Sequence, residues 1–165
     1  MQEITIGKKS TFAIQYRHGQ QDQKMGFVRL WLGDIYLGAD DEVYFSYLLG
    51  DLQFIINNRE RLMDFPFRDD LPETIMQKMS DLGIQHRSLS KHKISFGESF
   101  DDFLIVCFFT DGKVHFVWKL REKPFFTYPG YPQAAQMASL DYDYFESIVK
   151  RFNEELVLSM AKFKH

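Results

Sequence analysis

One cysteine stands in 165 residues. Cys107 therefore has no intrachain partner for a disulfide, which points to a fold held by its core and to a reducing compartment such as the cytosol. No apolar run reaches the roughly 20 residues of a membrane span, and the opening MQEITIGKKS lacks the apolar centre of a secretory leader. The glycines fall singly, so no phosphate cradle leads into a helix. His-Glu-x-x-His, Cys-x-x-Cys, EF-hand spacing and Gly-x-Ser-x-Gly are also missing. The expectation is therefore no metal, no cofactor and no serine-nucleophile elbow. With 20 Lys and Arg against 23 Asp and Glu, net −3, the chain lacks the basic excess that nucleic-acid binding demands. Neither nucleic acid nor membrane is an expected partner.

Aromatics are abundant instead: 17 Phe, 8 Tyr and 2 Trp. Most must fill a core, and those left at the surface suit an interface, because each buries a large area with few rotors to freeze. A chain of this length buries roughly 70% of the surface its unfolded form exposes. No Pro/Gly/Ser-rich linker divides it, so one domain over residues 1–165 is expected.

The periodicities predict an α+β fold, with a mainly antiparallel sheet built from hairpins and packed by two longer amphipathic helices and one short helix. Thr11 to Arg17 alternates Phe12, Ile14 and Tyr16 with polar or small residues, the period of a strand. A polar loop, His18 to Lys24, leads into a strand over Met25 to Leu32. Gly33-Asp34 is then a two-residue turn of the glycine-first kind, returning through Ile35 to Leu37. Asp40 or Asp41 is the expected cap of a long helix whose stripe is Phe45, Leu48, Leu49, Leu52, Ile55 and Ile56. Gly50 inside that helix suggests a close approach to the sheet. Pro72 and Gly83 bracket a shorter helix with Ile75, Met76, Met79 and Leu82 on its apolar side. A short strand is expected around Lys93 to Phe96.

Asp111-Gly112 predicts a type I′ hairpin between Phe103–Thr110 and Lys113–Leu120. A two-residue turn sets the register. Phe109 faces Val114, Cys107 faces Phe116, Ile105 faces Trp118 and Phe103 faces Leu120, all on one core face. The other face pairs Phe108 with His115, Val106 with Val117 and Leu104 with Lys119. It is mixed, and either a helix covers it or a partner uses it, self-association included. Lys123 to Met137 reads as an irregular loop or edge. A terminal helix from near Asp141 toward Lys162 carries the stripe Phe145, Ile148, Val149, Phe152 and Leu156.

Residues capable of chemistry are few. Cys107 points into the core, where an apolar setting raises a thiol pKa and leaves it inert. His86 and His92 have no carboxylate at ligand spacing. Carboxylates cluster at Asp40-Asp41-Glu42, at Asp69-Asp70 with Glu73, and at Glu98 with Asp101-Asp102. Helix capping accounts for the first two, whereas the third precedes a strand and reads as an acidic rim for a basic partner. Phe125-Phe126-Thr127-Tyr128-Pro129-Gly130-Tyr131 has the composition of a binding hot spot where exposed. The candidate partner-binding residues are therefore Glu98, Asp101, Asp102, His115, Tyr128 and Tyr131. A small hydrolase using Asp101, Asp102 and one of His86, His92 or His115 is the alternative, as is a cytosolic interaction module.

Ser10-Thr11-Phe12-Ala13-Ile14, Gly26-Phe27-Val28-Arg29-Leu30-Trp31-Leu32-Gly33-Asp34, Leu37-Gly38 and the helix Tyr47 to Ile56 together resemble the polymorphic-toxin immunity proteins, in particular immunity protein family forty-two. A weaker likeness follows over Ser99 to Val106 and around Phe145, while His18 to Lys24 and Val43 to Ser46 depart from the pattern. The resemblance implies a cytoplasmic, non-catalytic inhibitor without cofactor. Its partner would be a cognate toxin domain, with nucleases among the implied toxin activities.

Overall fold

Strand periodicity in the first third of the chain and the Asp-Gly hairpin in the last build two separate antiparallel sheets. The computed structural model describes residues 2–82 and 86–162. In order these form β1 (Ile4–Lys8), β2 (Phe12–His18), β3 (Met25–Leu32), β4 (Ile35–Leu37), β5 (Glu42–Tyr44), α1 (Phe45–Asn57), α2 (Pro72–Asp81), the single turn α3 (Arg87–Ser90), β6 (Phe103–Thr110), β7 (Lys113–Leu120), β8 (Gln136–Asp141) and α4 (Tyr142–Lys162). The fold is α+β, as expected.

The first sheet runs β1-β2-β3-β4, with β5 also on β3. The second runs β6-β7-β8. The turn Gly33-Asp34 has positive φ at both residues, 63° and 70°, which makes it type I′ rather than the glycine-first II′ form. In the β6–β7 hairpin every expected pair is found, from Thr110 opposite Lys113 to Phe103 opposite Leu120.

Helix α4 lies against β1 and β2 of one sheet and β7 and β8 of the other, and against α1. Its stripe Phe145, Ile148, Val149, Phe152 and Leu156 is buried throughout. The main core joins that stripe to Phe45, Leu48, Leu52 and Ile55 of α1 and to the inner faces of both sheets. The mixed face of β6–β7 is covered: Val106, Phe108 and Val117 pack with Phe65 and with Ile75, Met76 and Met79 of α2. Burial on both faces explains why β6 reads FLIVCFF with almost no alternation.

Four local expectations change. The helix begins at Phe45, preceded by Tyr44, with no side-chain cap. Glu42–Tyr44 first pairs with Met25–Phe27, and the Phe45 N–H is satisfied by the Lys24 carbonyl at 3.0 Å. Asp41 instead accepts the N–H of Glu42, so neither Asp40 nor Asp41 caps. Gly50 makes no close approach, since a Cβ there would meet nothing within 4 Å. The stretch Lys93–Phe96 contributes a single bridge, Lys93 to Val106. Finally, β1, β5 and β8 emerge from segments with no strong period. Gly83, the expected end of α2, lies outside the described residues.

Candidate functional site

The geometry centres on Asp102. It sits in the turn before β6 and is 3% exposed. Its carboxylate accepts the N–H of Phe125 at 2.7 Å, the N–H of Phe126 at 3.0 Å and the Tyr128 hydroxyl at 2.9 Å. A buried carboxylate is tolerable when donors replace its lost hydration. Burial, and then the adjoining Asp102, push the Tyr128 hydroxyl pKa up. Two more bonds tie the following strand end to the same turn: the Arg121 N–H donates to the Asp102 carbonyl and Arg121 Nε to the Asp101 carbonyl, both at 2.8 Å. Tyr131 packs on Phe103 and accepts the Trp118 indole N–H at 3.0 Å.

Five of the six candidate residues thus belong to one end of the β6–β7 hairpin. Asp102 and Tyr128 are inside, where their polar groups bind each other. Tyr131 is half-buried. Glu98 and Asp101 are exposed on one turn, the Asp101 N–H donating to the Glu98 carbonyl at 3.1 Å. The side chain that does project is Phe125, 95% exposed.

His115 is elsewhere. It pairs with Phe108, six residues along β6 from Asp102, or roughly 20 Å at the rise of a strand. Its ring stacks on Phe108 at 4.8 Å, and Nδ1 lies 2.7 Å from Ser139 Oγ on β8. His92 is fully buried, with Nδ1 2.9 Å from the Cys107 carbonyl and Nε2 3.2 Å from the Asp64 carbonyl. Burial lowers its pKa. His86 is exposed on the approach to α3. The set Asp101, Asp102 and a histidine therefore does not converge. Burial also pushes the Cys107 thiol far up.

The other acidic clusters are structural without being caps. Glu73 accepts the Ala135 N–H at 2.7 Å and pairs with Lys119 at 2.9 Å, joining α2 to the second sheet. Asp70 pairs with Lys78 at 2.7 Å. Among the described residues no group of His, Cys, Asp and Glu is arranged to hold a metal ion.

A second surface escapes the periodic stripes. Tyr44, Tyr47 and Phe54 beside α1, and Val157, Leu158 and Met160 at the end of α4, are exposed. A groove of about 470 Å³ runs between the two helices, with Tyr44, Tyr47, Leu156, Val157 and Met160 in its walls. Apolar residues falling off the helical stripe were the one signal for it in the sequence.

A family model described as Immunity protein 42 matches residues 1–155. The chain belongs to this family. It is an immunity protein, one that binds and neutralises a cognate bacterial toxin domain. Its fold is also that of the crystal structure of CdiI from Burkholderia dolosa AUO158. The two superpose with a TM-score of 0.68 at 16% identity, over 92% of this chain and 99% of that one. No curated protein matches this immunity protein in sequence. Among its described residues no helix is long and apolar enough to cross a membrane.

Proposed function

We propose that this immunity protein works as a non-catalytic inhibitor in the cytoplasm, covering the working surface of one toxin domain in a one-to-one complex. The observation that carries the reading is how its reactive side chains are employed. The Cys107 thiol is packed in the core, both ring nitrogens of His92 face main-chain carbonyls, and the Asp102 carboxylate is filled by three donors. Each of these holds the fold together. We further propose a basic, nucleic-acid-cutting toxin, since the chain carries a net charge of −3 and Glu98 and Asp101 are exposed on one turn. Among the described residues neither takes part in an ion pair.

Co-expression with the C-terminal domain of the protein encoded immediately upstream tests this. A stable complex with rescued growth is expected. A toxic upstream domain that neither co-purifies nor is neutralised would count decisively against it.

The Ser139–His115 pair at 2.7 Å favours a second reading, a hydrolase that destroys its target. A serine nucleophile needs a base that is itself oriented, and His115 Nε2 has only the Thr110 carbonyl at 3.4 Å. Ser139→Ala separates the two: full protection by the variant retains the inhibitor, and lost protection with toxin binding intact establishes the enzyme.

A further inference from the structure

Resting on the inhibitor reading, we infer that the segment Lys123–Phe126 is the toxin-docking element and that Phe125 is the side chain that enters the toxin, in an apolar cleft of that domain. A single exposed hydrophobe is ordinary on a protein surface. Phe125 differs in how its main chain is held. Its own N–H and that of Phe126 end on the buried Asp102 carboxylate at 2.7 and 3.0 Å. Tyr128, three residues on, returns to the same carboxylate and packs on Phe103. The segment is thereby pinned on both sides of a ring that is 95% exposed.

Core packing accounts for Tyr128, Tyr131 and Phe103, but not for the direction of Phe125. A buried carboxylate spent on ordering the backbone of an outward aromatic is what preorganised binding requires. The entropy of fixing the loop is met on folding rather than at encounter, so more of the contact free energy appears as affinity. Aromatic anchors in this situation dominate interfaces.

The charges around Phe125 are of both signs. Asp101 and Glu122 are exposed, and so are Arg121, whose Nε is on the Asp101 carbonyl, and Lys123, two residues before the ring. Glu98 borders a separate groove with Glu42, Tyr44 and Tyr47. The apolar ring, rather than charge, is therefore what the toxin cleft must match.

The test measures binding of the upstream-encoded C-terminal domain, made by cell-free synthesis, to the full chain and to two variants. Phe125→Ser removes only an exposed ring, so its melting temperature should match the wild type while affinity falls about 30-fold or more. Phe125→Trp should retain binding within a few-fold, as an aromatic anchor would. If the wild type binds and Phe125→Ser binds within about threefold of it, the docking inference is overturned and the inhibitor reading stands. If the wild type does not bind, both fall.

Discussion

The Tyr128 hydroxyl donates a 2.9 Å hydrogen bond to the buried Asp102 carboxylate, so two polar residues from loops 26 positions apart hold each other inside the protein. Both polar groups are taken up inside the fold. What they present is the loop between them.

Removing that hydroxyl leaves a buried carboxylate one donor short. Tyr128→Phe is expected to cost about 1–3 kcal/mol of stability, or roughly 2–12 °C in melting temperature for a chain of this size. Thermal unfolding monitored by circular dichroism checks it. A melting curve superimposable on the wild type would mean the bond contributes nothing.

Gly26 lies opposite His18 in the β2–β3 ladder. A Cβ there would overlap the Arg17 carbonyl oxygen and reach the Phe45 ring at 2.5 Å. Backbone on one side and a core ring on the other leave nothing to yield. Gly26→Ala should destabilise by about 2–3 kcal/mol or more, read as a fall in the urea midpoint with an unchanged slope.

Gly50 is the opposite case. It is exposed within α1, and a Cβ meets no atom within 4 Å. Gly50→Ala should raise stability by about 0.5–1 kcal/mol, because alanine has less backbone freedom to lose on forming the helix. A lowered urea midpoint would show that the helix needs the glycine after all.

Glu73 binds the Ala135 N–H first and Lys119 second, and both lower its carboxyl pKa. A depressed carboxylate contributes stability above its unfolded value, and that contribution fades as pH falls through the folded one. The link between α2 and the second sheet should therefore weaken below about pH 4.5, the ordinary value for this carboxyl. Glu73→Gln should unfold less steeply with acid over pH 5 to 3 than the wild type, measured as melting temperature against pH. Parallel curves would exclude Glu73 as a source of the acid sensitivity.

Much of the local structure is written in short-range pattern. The Asp111-Gly112 turn and the strands flanking it carry their own register, since two residues with positive φ leave one way for β6 and β7 to pair. The stripe of α4 and the family likeness over Gly26 to Asp34 are equally local, depending on spacing and on turn residues that neighbours in the chain impose. The tertiary structure decided the rest. It split the strands into two sheets with α4 across both, and it drew Glu42–Tyr44 onto β3, so that α1 starts at Phe45 and leaves the Asp40-Asp41 pair outside it. It also turned Asp102 inward and Phe125 outward, reversing what a charged and an aromatic residue do when judged by type alone. The physical reason is that a carboxylate's cost depends on which donors reach it. For Asp102 those donors come from residues 23 to 26 positions away, a distance over which sequence periodicity carries no information.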